Sequence, residues 1–172
     1  MLISLLLLAA AAATPAQTDP LAPARAGKIQ CVGPNQEKKT CLAFGRYQVG
    51  ADGSYQSTVT VLVNPSPAIT METRAKGKVE NGQVCGIIRK EDYAASTFTM
   101  NGAPMDTAMA DGIRAQLLAA VAPMDGKNGC SKERAEGGVT VSEVTLDGVA
   151  RPELTQRFIW VGADDGYTLG TP

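Results

Sequence analysis

The four cysteines are the side chains of this sequence whose type and spacing best suit chemistry: Cys31, Cys41, Cys85 and Cys130. A structural zinc site usually brings cysteines in two close pairs or together with histidines, and a thioredoxin-like redox site places two thiols in a C-x-x-C motif. The chain has no histidine and no C-x-x-C motif. Because an even number of cysteines is typical of disulfides in exported proteins, the sequence predicts two disulfides rather than a metal or redox site.

Four cysteines allow three pairings, of which we favour Cys31 with Cys41 and Cys85 with Cys130. The first bond would close a short polar loop through Gly33-Pro34-Asn35. The second would tie a strand to the segment that follows the main helix. In the chain-entropy model, loops of these lengths stabilise a fold by roughly 3 and 4 kcal/mol, respectively.

Carboxylates are the remaining candidates for catalysis. Without histidine there is no Ser-His, Cys-His or His-metal site, and the chain has no G-x-S-x-G, S-x-x-K, phosphate-loop or dinucleotide-binding motif. Two acids that face each other across a cleft can catalyse hydrolysis, and the candidates are Glu91, Asp92 and Glu153. The spacing of these three acids does not indicate that any two of them form a catalytic pair. Glu91 and Asp92 are adjacent, and adjacent residues of a strand point to opposite faces. The sequence therefore predicts no catalytic residue.

The segment GADDGYTLG, residues 162–170, is similar to oxygen-rich loops that hold calcium. It supplies only Asp164 and Asp165, whereas calcium takes about six to eight oxygen ligands. We expect a solvated turn here, and no metal site or cofactor in the protein. We also expect the tail to be mobile from about residue 163.

The segment RFIWV could form a recognition surface. Strand alternation would place Phe158 and Trp160 on one face and Arg157 on the other. Tryptophan and arginine are enriched where binding energy concentrates, so Arg157 and Trp160 are possible partner-binding residues. The alternative, which we favour, is that Phe158 and Trp160 belong to the core and that Arg157 lies at its rim.

Charge limits the class of partner. The chain has 16 basic and 17 acidic residues, and its sequence pI is near 5.5. Nucleic acids and anionic membranes require clustered positive charge, so we expect neither as the main partner. The most basic region contains Arg74, Lys76, Lys78 and Arg89-Lys90. It is either an anion-binding face or, as we favour, a set of solvated strand residues that discourage edge pairing.

The N-terminus indicates export. It has an apolar run from Leu2 to Ala13, followed by small residues that suit a signal peptidase. A membrane span needs about 20 apolar residues, so this shorter run predicts a signal peptide at residues 1–16 and no span after its cleavage. Residues 17–27 predict an extended leader rich in proline and alanine. Residues 28–172 predict a single domain that is large enough for a hydrophobic core.

Two turn signals define hairpins in this domain. Asp52-Gly53 joins the segment 40–49 to the segment 55–63, in which polar and apolar residues alternate. Asn81-Gly82 predicts a second tight hairpin.

The register of the second hairpin raises a difficulty. If Glu80 faces Gln83, then Lys78 faces Cys85, a residue that we expect to be buried. A bulge at Gly77 or Gly86 would resolve this.

After the strand segments, the spacing of apolar residues changes from every second residue to every third or fourth, which predicts one helix. Asp106 suits the N-cap and Pro123 can end the helix. The apolar stripe of this helix comprises Met105, Met109, Ala110, Ile113, Leu117, Leu118 and Val121.

The segments around this helix complete the fold prediction. Residues 124–138 predict a loop held by Cys130, and the alternation of residues 139–146 slips at Ser142-Glu143, which indicates a bulge. The sequence therefore predicts an α+β fold: one antiparallel sheet of six or seven strands, with one amphipathic helix packed on one face and two disulfides.

Three stretches of the chain, DPLAPARAGKIQC, VCGIIRKED and DGVARPELTQRFIWV, resemble a family of small exported proteins of Gram-negative bacteria. The resemblance extends over most of the mature chain and includes no catalytic motif. It implies a periplasmic or secreted location and a single disulfide-bonded domain, and it carries no activity or functional residues.

The function that we expect is a non-enzymatic binding or interaction domain of the cell envelope, with a protein or a small ligand as its partner. One alternative is a periplasmic hydrolase that uses carboxylates. Another is an enzyme inhibitor that presents the loop between Cys31 and Cys41, from Val32 to Thr40, to its target.

Overall fold

The alternating segments pair into a continuous antiparallel sheet. The computed structural model describes residues 19–171, so the predicted signal peptide, residues 1–16, lies outside the described residues. The strands are β1 Ile29–Val32, β2 Thr40–Cys41, β3 Ala43–Val49, β4 Ser54–Pro65, β5 Ala68–Glu80, β6 Gln83–Ile87, β7 Thr97–Met100, β8 Ala103–Pro104, β9 Asn128–Glu136, β10 Val139–Leu146, β11 Val149–Ala150, β12 Gln156–Val161 and β13 Thr168–Leu169. The α-helices are α1 Ala22–Arg25, α2 Lys90–Ala94 and α3 Thr107–Val121.

Eight of these strands close the sheet on itself. Their hydrogen-bonded order is β4-β3-β1-β12-β10-β9-β6-β5, and β5 also pairs with β4. The strands β7 and β8 extend from the other edge of β5, and β11 pairs with the end of β10. Closure removes the free edges of the eight strands and gives the sheet an inner and an outer face.

The sheet has eleven strands rather than the predicted six or seven. The largest correction is β9, which lies in the segment that we predicted as a loop. Its inward positions are Gly129, Ser131, Glu133 and Ala135, which are small or polar, so the segment lacks hydrophobic alternation. It is a strand because β10 pairs along one edge and β6 along the other.

The bulge predicted in β10 is also wrong. The strand pairs with β9 in unbroken register from Val139 opposite Glu136 to Leu146 opposite Gly129. The alternation slips because both faces carry apolar residues. Val141 is buried on the outer face, where its neighbours on the adjacent strands are Arg134 and Arg157, whereas Leu146 is buried on the inner face.

Both predicted hairpins form. In the second, Glu80 lies opposite Gln83 and Lys78 lies opposite Cys85, as we predicted. The register difficulty disappears because Cys85 lies on the outer face, where it is bonded to Cys130. Beyond this point the strands approach closely, since a Cβ atom built on Gly77 would lie 2.1 Å from the carbonyl oxygen of Cys85. Only glycine fits there.

The structure pairs Cys31 with Cys41 and Cys85 with Cys130, which are the bonds that we favoured from the sequence. The Cα atoms of the two pairs lie 5.4 and 4.1 Å apart. Cys85 and Cys130 are direct neighbours in the pairing of β6 with β9. Each bond therefore links segments that the sheet already holds close together.

Helix α3 begins where the sequence predicts. The carboxylate of Asp106 accepts hydrogen bonds from the backbone N–H groups of Ala108 at 3.0 Å and Met109 at 3.3 Å, which satisfies two free donors of the first turn. The side chain of Met109 is 49% exposed, although we predicted it in the apolar stripe. The residues that join α3 to the strands form one cluster: Met71, Phe98 and Ala110, with Val61, Met105, Ile113 and Leu117 packed against them.

The two terminal segments pack against the sheet. Within the predicted leader, α1 forms a short helix, and the preceding Leu21 is fully buried. At the other end, β13 pairs in parallel with β2, and Tyr167 packs against the buried cluster of Cys31, Cys41 and Val161. The tail that we predicted to be mobile thus has defined contacts in the structure.

Candidate ligand-binding groove

A polar groove crosses the outer face of β3, β4 and β5. The register places Arg46, Thr58 and Arg74 side by side in one row. In the next row, Gln48, Gln56 and Lys76 are neighbours. Because side chains alternate across a strand, all six point away from the inner face.

The groove has a volume of about 690 Å³, which lies in the range typical of ligand sites. Three consecutive residues of each strand line it, namely 46–48, 56–58 and 74–76. Glu72 and Asp92 complete the lining. The wall is therefore rich in amide, hydroxyl and charged groups, which can bind a ligand through hydrogen bonds and ion pairs.

The cations of the groove differ in their neighbours. Nη2 of Arg74 lies 3.1 Å from Oε1 of Glu72. The guanidinium carbon of Arg46 lies 5.9 Å from the centre of the Phe44 ring, which allows a cation–π interaction. Among residues 19–171, Lys76 and Lys78 have no carboxylate at salt-bridge distance. The ammonium groups of Lys76 in the groove and of Lys78 beside it are therefore available to an anion, as is the guanidinium of Arg46.

A second pocket, of about 430 Å³, adjoins the groove at Lys76. Its lining includes Lys78, Glu80, Arg89 and Asn128. The cationic surface thus continues along β5 beyond the first groove, past the Cys85–Cys130 bond.

Of the three carboxylates predicted as catalytic candidates, one lies in the groove. Asp92, on α2, lines it and has an oxygen 3.9 Å from a guanidinium nitrogen of Arg89. Glu91 is exposed on the same helix, and Glu153 forms an ion pair with Arg151 in a short turn. The structure does not bring the three together, but it adds Glu72 beside Asp92.

The possible partner-binding residues Arg157 and Trp160 lie on opposite faces of β12, as alternation predicts. Arg157 points outward and forms an ion pair with Glu136. Trp160 points inward, where its ring centre lies 5.7 Å from that of Phe158 and 6.1 Å from that of Tyr47. Trp160 is thus part of an inner aromatic cluster, and the two residues do not share a surface.

The inner cluster also contains polar groups. The hydroxyl of Tyr47 donates a hydrogen bond of 3.0 Å to Oε1 of Gln30. The hydroxyl of Tyr55 donates one of 3.1 Å to the carbonyl oxygen of Cys85. Burial raises the pKa of Tyr55 to about 12. It also raises the pKa of Tyr47, with smaller contributions from the charges of Tyr55 and Glu133.

Glu133 is an inward-facing carboxylate that the sequence analysis missed. It lies on β9 opposite the buried Ser142, and burial raises its pKa from 4.5 to about 7. We missed it because its strand was predicted as a loop. Its inward position follows only from the pairing of β9 with β6 and β10, which the local sequence does not indicate.

The loop from Val32 to Thr40, which the Cys31–Cys41 bond closes and which we call the stapled loop, was predicted as an inhibitor element. Its tip is exposed to solvent. Residues 36–39 are exposed, and backbone hydrogen bonds between Asn35 and Thr40 hold the base of the loop. Nζ of Lys39 donates a hydrogen bond to the carbonyl oxygen of Asp165 in the C-terminal tail. One side of the loop is therefore attached to the tail.

None of the helices in the described range 19–171 has the length and apolar character that a membrane span requires. Over the same residues, no group of three or more cysteine, aspartate or glutamate side chains is arranged to hold a metal ion. The comparisons of this chain with protein-family models, with curated proteins and with solved structures found no match. The resemblance to small exported proteins of Gram-negative bacteria stays a prediction, and function must be argued from the groove itself.

Proposed function

We propose that this chain is an exported protein of the cell envelope, periplasmic or secreted, that binds a ligand through the groove on β3, β4 and β5. The single observation that carries the proposal is the groove itself, in which two rows of outward-facing polar and cationic side chains line a volume of about 690 Å³. Two disulfides and the predicted signal peptide support an oxidising compartment.

The wall of the groove suits binding more than covalent chemistry. The amides of Gln48 and Gln56 can each donate and accept hydrogen bonds, and Arg46 and Lys76 add positive charge. These side chains stand on neighbouring strands of a closed sheet. Their backbone positions are therefore fixed before a ligand arrives, which lowers the entropic cost of binding.

A thermal-shift screen of the mature domain against envelope metabolites and peptides, followed by calorimetric titration of each hit, tests this proposal. We expect the double substitution Arg46→Gln and Lys76→Gln to weaken binding of a true ligand about tenfold. The matched control, Lys28→Gln with Lys132→Gln, removes the same charge elsewhere and should leave affinity unchanged. Ligands that bind both variants equally would refute the assignment of the groove.

The alternative is a carboxylate-dependent hydrolase. Its supporting observation is that Glu72 and Asp92 both line a smaller pocket of about 290 Å³ beside the groove. Two acids in one cleft can share general acid and base roles. Hydrolysis of a glycan or peptide that is lost in both Glu72→Gln and Asp92→Asn would favour the enzyme, whereas turnover unaffected by both would exclude this pair.

A further inference from the structure

We infer that the ligand of the groove is an extended, acidic polypeptide segment that lies along the outer face of β5 with carboxylates on alternate residues. This inference rests on the proposed function and deepens it, because it names the chemical class of the ligand. It is carried by the order of charges on one strand and by the spacing that a strand imposes.

From Glu72 to the end of β5, every outward position is charged. In order, they are Glu72, Arg74, Lys76, Lys78 and Glu80. Alternate residues of a strand are about 6.6 to 6.8 Å apart. Another extended chain has the same period, so its alternate side chains can meet successive cations without a change in its backbone.

The two acids at the ends of this row limit the length of the ligand. Glu72 already neutralises part of the charge of Arg74, whereas Lys76 and Lys78 have no such partner among the described residues. The register places Arg46 in the row of Arg74, on the far side of Thr58. The surface therefore fits two or three carboxylates and would repel a long, uniformly charged chain at both ends.

The walls favour a polypeptide over a nucleic acid. Binding of single-stranded nucleic acid relies on aromatic rings on which bases stack, and the outward-facing groove residues contribute amide, hydroxyl and charged groups instead. Gln48 and Gln56 can hydrogen-bond to the carbonyl and N–H groups of an extended backbone. One edge of β5 is paired with β4, and the other is paired with β7 at residues 69–72 and with β6 at residues 78–80. Between these two pairings, the hydroxyl of Thr73 donates a hydrogen bond to the backbone carbonyl of Asp92 in α2. We expect the ligand to lie along the outer face of β5, where the charged side chains stand, rather than to add a strand at its edge.

Three synthetic peptides of equal length test the inference by fluorescence polarisation on the mature domain. The first has glutamates at alternate positions separated by serine, the second has the same residues with the glutamates in one block, and the third has glutamine in place of glutamate. We expect the alternating peptide to bind most tightly. Raising the salt from about 50 to about 300 mM should weaken its binding, because exposed ion pairs are screened.

Matched variants identify the surface. The double substitution Lys76→Gln and Lys78→Gln should weaken binding of the alternating peptide about fivefold to tenfold. Lys28→Gln with Lys132→Gln, which removes the same charge from other strands and loops, should have no effect. Circular dichroism of each variant checks that the fold is intact.

The outcomes separate the two proposals. Equal binding of the three peptides, or equal binding to both double variants, overturns the acidic-peptide inference. If inorganic polyphosphate binds through Lys76 and Lys78 while the peptides do not, the inference is wrong and the groove remains a binding site. If a ligand from the wider screen binds but no groove substitution affects it, the proposed function is wrong as well.

Discussion

At the scale of single residues, Glu133 shows how burial inside the closed sheet changes the pKa of a carboxyl group. Its carboxylate faces inward on β9 and is half-buried, so the surroundings disfavour its charged form and raise its pKa from 4.5 to about 7. The folded protein therefore binds more protons than the unfolded chain between these two values. Stability must fall as the pH rises through this window.

The substitution Glu133→Gln should remove this pH dependence. Above about pH 7 the wild-type protein carries an ionised, half-buried carboxylate, so the neutral amide should raise the free energy of unfolding by about 1 to 2 kcal/mol, a value reduced to allow for partial solvent exposure. Below about pH 4.5 the carboxyl is protonated in both states and the gain should vanish. Urea unfolding at both pH values measures it.

The control is Glu37→Gln, which removes an exposed carboxylate from the stapled loop. Because this side chain is exposed, its substitution should change the free energy of unfolding by less than about 0.5 kcal/mol at either pH. A gain for Glu133→Gln that is the same at low and high pH would contradict burial as the cause of the raised pKa.

Gly77 is the residue whose substitution should disrupt the closed sheet most directly. A Cβ atom there would lie 2.1 Å from the carbonyl oxygen of Cys85 and 2.4 Å from the hydroxyl of Tyr55. Backbone must move to relieve this, so Gly77→Ala should lower the free energy of unfolding by about 2 to 3 kcal/mol. Thermal and chemical denaturation measure the loss.

Gly112, within α3, is the matched control. A Cβ atom there meets nothing within 4 Å, and alanine is the better helix former, so Gly112→Ala should stabilise the protein by about 0.5 to 1 kcal/mol. Equal effects of the two substitutions would show that β5 and β6 do not approach as closely at Gly77 as the structure indicates.

At the scale of elements, the C-terminal segment covers the first disulfide. Both cysteines of this bond have 0% exposure. The backbone N–H of Gly170 donates to the carbonyl oxygen of Cys41 at 3.0 Å, and the N–H of Thr168 donates to that of Lys39 at 3.0 Å. Tyr167 packs against the same cluster. The segment therefore limits access of a thiolate to this bond.

Ending the chain after Gly162 should make the Cys31–Cys41 bond easier to reduce. Thiol–disulfide exchange requires direct access to a sulfur atom, so we expect its reduction by dithiothreitol to accelerate about tenfold or more. The Cys85–Cys130 bond in the same sample is the internal control and should react at an unchanged rate. Alkylation and mass spectrometry resolve the two bonds. Unaltered reduction of the first bond would indicate a mobile tail, as the sequence analysis predicted.

At the scale of the whole molecule, the two disulfides and the strand pairings of the closed sheet join residues that are different distances apart in the sequence. Cys31 and Cys41 are 10 residues apart, and Cys85 and Cys130 are 45 apart. The ring itself joins segments from both halves of the chain, since β1 pairs with β12 and β6 pairs with β9. Loss of the longer crosslink should therefore increase the entropy of the unfolded chain more.

Replacing each cysteine pair by serine tests this difference. We expect removal of Cys85–Cys130 to lower the free energy of unfolding by roughly 4 kcal/mol and removal of Cys31–Cys41 by roughly 3 kcal/mol. Guanidinium unfolding of the oxidised variants measures both. A larger loss from the shorter loop would show that packing around Cys31 and Cys41, rather than chain entropy, dominates.

The sequence by itself determined the features that short stretches encode. Asn81-Gly82 specified a tight turn, which sets Glu80 across from Gln83. Asp106 specified the start of α3. Strand alternation placed Trp160 and Arg157 on the two different faces of β12. Each depends on backbone preferences within a few residues, or on the period of a strand, and both can be read locally.

Only the tertiary structure decided that the sheet closes, that β9 is a strand and that a groove forms. The groove joins residues of three strands, and Glu133 faces inward only because β9 pairs with both β6 and β10. Pairing between distant segments depends on the whole set of strands that must bury one face together. No local pattern in a small or polar strand such as β9 records that choice.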